Sequence, residues 1–239
     1  MTRTEINPRR RHRSIIGLCL LVAVAAALLS VTACGRSNPT AHPAGESLDL
    51  LPSGSLSDWV SYADAVAVVT VKSERVLPVD NEVADRGEGL VGHVSTVSID
   101  RVVWTRAGAP EPPTSIALAS SPYVFNDGKV TDRTAGGVID LEVGHQYLMP
   151  MLEFPEGWGY LTSATNLIIS DGKIQTTDAN KTQPFAADVT GLTPTEVGQV
   201  LESTKPDPVA AAHPELDAVK RFHVAQEAAR EDEHPPGSD

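Results

Sequence analysis

The sequence predicts a mainly β protein, either a small β-barrel or a strongly curled antiparallel sheet. A short helical turn leads into it and one or two helices follow it. Three observations carry the prediction. Short β-branched apolar runs recur between clusters of Gly, Pro, Asn and Asp over residues 65–175. Asp127-Gly128 and Asp171-Gly172 each separate two such runs, and Asp-Gly supplies the two positive φ angles of a tight hairpin turn. Helix signals are confined to the flanks.

The elements follow in order. Ser57-Asp58-Trp59-Val60-Ser61-Tyr62-Ala63 predicts a helical turn with Ser57 as its N-cap. Ala65 to Ser73 (AVAVVTVKS) is short, β-branched and almost continuously apolar, which predicts a strand. Residues 78–90 hold Pro78, Asp80, Glu82, Asp85 and Glu88 and predict an acidic surface loop. Val91 to Trp104 alternates in polarity and predicts a second strand, with a bulge where Val102 and Val103 stand together before Trp104. A Pro-rich loop at 109–113 precedes a third strand, Ser115 to Ser120. Tyr123 to Thr131 predicts a hairpin turning at Asn126-Asp127-Gly128. A strand over Val138 to Leu141 is expected next, then a turn at Val143-Gly144-His145 and a strand from Gln146 to Leu152. Pro150 marks that strand as an edge or a bulge. Pro155 to Gly159 turns into Tyr160-Leu161-Thr162, and Asn166 to Gln175 forms the last hairpin. Thr193-Pro194-Thr195-Glu196 has capping-box spacing with proline at the first helical position, so a helix to about Ser203 follows. A hinge at 205–208 leads to a second helix over Pro214 to Arg230, with Leu216, Val219 and Phe222 on its apolar side.

The N-terminus reads as an address. Arg3, Arg9, Arg10, Arg11 and Arg13 precede an apolar zone from Ile15 to Leu29, and small residues lead to Val31-Thr32-Ala33-Cys34. Fifteen helical residues reach about 22 Å, short of a hydrocarbon core of roughly 30 Å. The pattern resembles the signal and lipobox of bacterial lipoproteins, which implies cleavage between Ala33 and Cys34 and a diacylglyceryl group on Cys34. An uncleaved membrane anchor is the alternative. His12 and Arg13 after Arg10-Arg11 favour the general secretory route over twin-arginine export. Two acyl chains hold a protein durably on a membrane where one does not. The expected location is therefore the outer face of the cell membrane. The expected organisation is a signal over 1–33, lipidated Cys34 and a flexible linker to 56, the β domain over 57–192, C-terminal helices over 193–230 and a disordered tail over 231–239.

Of 19 basic and 31 acidic residues, five arginines and one glutamate precede Cys34, so the remainder carries 14 basic against 30 acidic residues. That balance argues against DNA, RNA or anionic lipid heads as partners, because neutralising phosphates takes clustered Lys and Arg. Of the two cysteines, Cys19 lies in the apolar zone and Cys34 carries the lipid. Disulfide staples, thiol catalysis and cysteine-based zinc sites are thereby excluded from the mature domain.

Four segments, Tyr62 to Val71, Ile99 to Trp104, Leu141 to Leu148 and Ile168 to Ile174, together resemble a small OB-like β-barrel domain found in actinobacterial lipoproteins and secreted proteins. The resemblance covers roughly residues 57–176 and implies a barrel fold without catalytic residues. The chain departs from it at Trp104-Thr105-Arg106-Ala107-Gly108 and in carrying Pro150 within a strand.

No nucleophile elbow, zincin helix, P-loop or dinucleotide fingerprint occurs. Histidines 42, 93, 145, 213, 223 and 234 are scattered singly. His223 and Glu227 share a helix face at i,i+4 but read as a solvated pair, and Asn126-Asp127-Gly128 with Asp132 reads as a turn rather than a calcium loop. No cofactor or metal is expected. With only 5% aromatic residues, Tyr123, Phe125, Trp158 and Tyr160 beside turns stand out. They are core plugs or, where exposed, contacts for a ligand or partner. The resulting expectation is a lipid-anchored, non-enzymatic envelope protein that binds a protein partner or small ligand. An envelope hydrolase with a carboxylate site and a hydrophobic-ligand carrier are the alternatives.

Overall fold

The computed structural model describes residues 51–131, 140–155 and 157–233. Cys34, the signal and the linker as far as residue 50, Asp132, and most of the strand expected at Val138 to Leu141 lie outside them. The visible end of that segment, Asp140 and Leu141, is not in a strand. The end of the expected linker, 51–56, is instead part of the fold, with Leu51 and Leu56 buried and Ser55 capping the first helix.

Among the described residues eight strands form one antiparallel sheet: β1 (Ala65–Val76), β2 (Glu88–Thr105), β3 (Ser115–Asn126), β4 (Lys129–Thr131), β5 (Gln146–Phe154), β6 (Gly157–Tyr160), β7 (Leu167–Ser170) and β8 (Lys173–Gln175). Their order is β4-β3-β2-β1-β5-β7-β8, with β6 also paired to β5. The sheet is open and strongly curled rather than a closed barrel. Helices α1 (Leu56–Tyr62), α2 (Asn81–Arg86), α3 (Pro184–Val189), α4 (Pro194–Ser203), α5 (Pro208–Ala211) and α6 (Ala218–Glu233) complete the described elements, with a single 3₁₀ turn at Ser163–Thr165. None of these helices is long and apolar enough to cross a membrane.

Strand β1 explains the architecture. Its side chains alternate between two cores: Val66 and Val68 pack with the helices, while Ala67, Val69 and Val71 fill the inside of the curl with Val97, Leu118, Met149 and Met151. A strand buried on both faces has no polar parity to show, which is why its sequence is a continuous apolar run. The bulge expected near Val102 is present. Val66 pairs with Trp104 and Ala67 with Val102, leaving Val103 without a partner residue. Helix α4 rests on this irregularity so closely that a Cβ on Gly198 would stand 2.5 Å from the Val103 carbonyl oxygen.

Both Asp-Gly hairpins turn as expected, with φ of 47° and 78° at Asp127 and Gly128 and of 50° and 74° at Asp171 and Gly172. Helix α4 also forms as expected, with Thr193 and Glu196 capping each other's backbone.

Several expectations are corrected. The first helix is capped by Ser55, not Ser57. Ser55 and Asp58 form the reciprocal box, and the Ser57 hydroxyl instead donates to the Lys205 carbonyl at 2.9 Å. Residues 78–90 are not simply a loop, since Asp80 caps α2 and Val83 is buried. The hinge at 205–208 initiates α5, capped by Asp207, and the last helix starts at Ala218 rather than Pro214. Pro150 lies in an interior strand, opposite Val66 on β1. Its carbonyl points away from β1 and accepts from Leu161 N–H at 2.8 Å. In an antiparallel strand the N and O of one residue share a side, so the missing N–H falls in the gap between β6 and β7, where no ladder requires it.

Candidate functional site

The curl brings β6 round to face β3 without a ladder between them. Register identifies the groups that meet there. Ile99 N–H donates to the Thr114 carbonyl, so in the β2–β3 ladder Ile116 and Leu118 turn their peptide groups toward β2. Ser115, Ala117 and Ala119 turn theirs outward. On the other side Leu161 N–H donates to Pro150, which leaves the peptide groups of Trp158 and Tyr160 facing away from β5. Two strand edges therefore face each other across a seam. The strands approach to within 8 Å at Cα and, by the succession of antiparallel pairings, run parallel.

One side-chain latch spans this seam: the Tyr160 hydroxyl donates to the Ala119 carbonyl at 2.7 Å. Burial pushes the Tyr160 pKa up, which keeps the phenol a neutral donor. A groove of about 430 Å³ runs along the seam, floored by Leu118 and walled by Ala117, Ala119, Phe154, Trp158 and Tyr160. Gly159 lets the Phe154 ring lie close against the wall: a Cβ there would come within 2.9 Å of the ring, which would have to shift.

The four aromatics singled out in the sequence are thus divided between two places. Trp158 and Tyr160 are partly buried against the inner core and line the groove. Phe125 is buried with Val83 and Val91 in a separate small cluster, and Tyr123 packs beside it. Phe125 also borders an open hollow of about 530 Å³ with the exposed Leu90.

The histidines do not converge. His93 is buried at one end of the curl, with Nε2 3.5 Å from Glu74 and its ring edge-on to Tyr123 at 5.0 Å. Ser120, opposite it across the ladder, donates its hydroxyl at 2.7 Å to Ser95 rather than to His93. That is not a relay for activating a serine. His145 and His213 have Glu142 and Glu215 as neighbours, and His223 and Glu227 are both exposed. Among the described residues no three His, Cys, Asp or Glu side chains are grouped to hold a metal.

A second concavity lies where the C-terminal helices meet the outer face of the sheet. It has a volume of about 360 Å³ and is bordered by α1, the end of β2, α4, α5 and α6. Beside it is a buried charge cluster that the sequence reading missed. Asp64, at the entrance to β1, accepts on Oδ1 from Arg106 Nη2 at 2.8 Å and Nε at 3.2 Å, and on Oδ2 from Glu153 N–H at 3.0 Å. Arg221 of α6 is 1% exposed; its Nη2 lies 3.6 Å from the same Asp64 oxygen. Its other contacts are the carbonyls of Ser61, Leu216 and Tyr62. Burial, and after it the Arg106 charge, pulls the Arg221 pKa down, against the opposing pull of Asp64. Tyr62 is pushed up to about 12, first by burial and then by Asp207 and Asp58. The one available signal was Asp64 itself, an acid between Ala63 and Ala65 at the head of an apolar run.

Compared with known proteins, the chain matches no protein-family model, no curated protein and no solved structure.

Proposed function

We propose that this chain is a lipid-anchored, non-enzymatic protein of the cell envelope, held on the outer face of the membrane through Cys34. Its β domain captures an extended peptide by strand addition at the seam. The observation that carries the binding role is the pair of facing edges, Ala117 and Ala119 on β3 against Trp158 and Tyr160 on β6, whose peptide groups enter no ladder among the described residues. Strand addition draws affinity from such groups and specificity from the side-chain pockets beside them. Aromatic walls and small alanines suit a peptide of alternating small and apolar residues. The excess of 30 acidic over 14 basic residues after Ala33 favours a basic one.

Spacing dictates how the site operates. A strand laddered on both sides needs its neighbours roughly 9.6 Å apart, and Cα atoms of β3 and β6 now lie within 8 Å of each other, so β6 must move outward to admit one. Breaking the Tyr160 latch costs about 1 kcal/mol. Tyr160→Phe is therefore expected to tighten peptide binding by up to about fivefold. Ala117→Pro removes an outward N–H at a position where an edge tolerates proline, and should weaken binding by about tenfold or more while leaving unfolding unchanged. The probe is a displayed library of random dodecapeptides, with the selected peptides resynthesised for calorimetry. Selected peptides that bind Ala117→Pro as tightly as the parent would sink strand addition.

The anchor is tested separately. In the native host, Cys34→Ala should move the protein from the membrane to the soluble fraction. The mass of the extracted parent should begin at a diacylated Cys34. A parent that retains residues 1–33 would instead be a membrane-anchored precursor and overturn lipidation.

A further inference from the structure

We propose that the concavity beneath α4, α5 and α6 is a binding site for a small monocarboxylate with an apolar tail, its carboxylate received by Arg106 and Arg221. Two guanidiniums meet a single carboxylate, Asp64, and all three side chains are largely withdrawn from water, at 14%, 1% and 6% exposure. A desolvated cation without a matched anion is costly, and in a chain of formal charge −12 it does not arise from a surplus of basic residues.

Donors remain available. A guanidinium has five N–H groups. Arg106 directs two at Asp64 and two at the carbonyls of Ala107 and Pro214. Arg221 donates to three carbonyls. The second Nη2 hydrogen of Arg221 is directed at Asp64, 3.6 Å away; among the described residues this leaves one N–H on Arg106 and one on Arg221 without an acceptor, and both side chains line the cavity.

The remaining surface selects the rest of the ligand. Trp104, Val60, Leu201 and Ala210 line it with apolar groups that belong to the core. A volume near 360 Å³ is at the small end of ligand pockets. The exposed Glu202 lines the cavity as well, and its charge disfavours a dianion such as phosphate relative to a monocarboxylate. Asp207 has its carboxylate turned to the N-terminus of α5, and Asp217 is paired with Lys220.

Calorimetry with sodium hexanoate and with 1-hexanol on the soluble domain, in its full mature sequence with Cys34 replaced by Ser, tests this. Hexanoate should bind saturably in the millimolar range or tighter, and hexanol about tenfold or more weaker. Arg106→Gln should weaken hexanoate by about tenfold. Glu202→Gln lies on the exposed rim and is not expected to disturb folding; it should tighten hexanoate by about two- to fivefold. Absence of hexanoate binding at tens of millimolar would overturn the proposal. So would hexanol binding as well as hexanoate, or a hexanoate isotherm that Glu202→Gln leaves unchanged.

Discussion

Asp64→Ala is expected to destabilise the fold by about 3–5 kcal/mol, the range for removing one partner of a buried ion pair. The side chain is 6% exposed and, among the described residues, is the only carboxylate in contact with both Arg106 and Arg221. It also holds the Glu153 N–H at 3.0 Å. Its loss strands two desolvated guanidiniums and one peptide donor together. The cluster joins parts distant in sequence: Arg106 is 42 positions from Asp64, and Arg221 brings in α6. The damage should therefore be global rather than a fraying of the last helix. Asp64→Asn keeps the shape and an acceptor but not the charge, and should fall between parent and Ala. Urea unfolding followed by far-UV circular dichroism measures both, with the loss read from the midpoint at unchanged slope. A loss below about 1 kcal/mol for the alanine variant would mean that Asp64 does not neutralise the buried cluster.

Fold class was legible because its signals are local. An Asp-Gly pair needs only its own positive φ angles, and Thr193 with Glu196 needs only the first turn of α4; both elements form where their residues stand. Errors arose where a distant partner decides. Ser57 is as good an N-cap residue as Ser55. Starting the helix at Leu56, however, buries Leu56 and lets Asp58 close the box, and the Lys205 carbonyl takes the Ser57 hydroxyl from across the chain. Pro150 suggested an edge strand because proline lacks a donor. Only the gap between β6 and β7 makes it harmless inside the sheet.

The candidate site was half legible for the same reason. Trp158 and Tyr160 could be noticed as aromatics at a turn, and they do line the groove. Nothing in their own segment shows that the curl lays them against β3, or that Ala117 and Ala119 are the other wall. Small residues such as these carry no signal of their own. The Arg106 and Arg221 pairing was less visible still, since Arg106 lies where a strand was expected to end and Arg221 in a helix whose apolar side was read as Leu216, Val219 and Phe222. Long-range juxtaposition decides all of these, and one-dimensional periodicity does not encode it.

Trp59→Ala should be as damaging as the loss of Asp64, by about 3–5 kcal/mol, for a purely apolar reason with one polar corollary. Trp59 is 0% exposed and among the largest fully buried side chains in the described residues. Its ring lies 4.9 Å from Phe185 of α3 at a tilt of 47°. Its Nε1–H donates to the Ser53 carbonyl at 3.0 Å, tying down the segment that precedes α1. Truncation leaves a cavity at the junction of α1, α3 and the outer face of the sheet, and frees the Ser53 carbonyl. Neighbours have little room to collapse, because Val66, Leu148 and Leu167 on the sheet side are themselves fully buried. Trp59→Phe isolates the polar part. It retains most of the ring volume and loses the donor, so a cost of about 1–2 kcal/mol is expected for the bond and the smaller ring together. Denaturant midpoints of the two variants, measured side by side, separate these contributions. If phenylalanine proves as costly as alanine, the hydrogen bond to Ser53 rather than packing against Phe185 is what fixes α1 on the sheet.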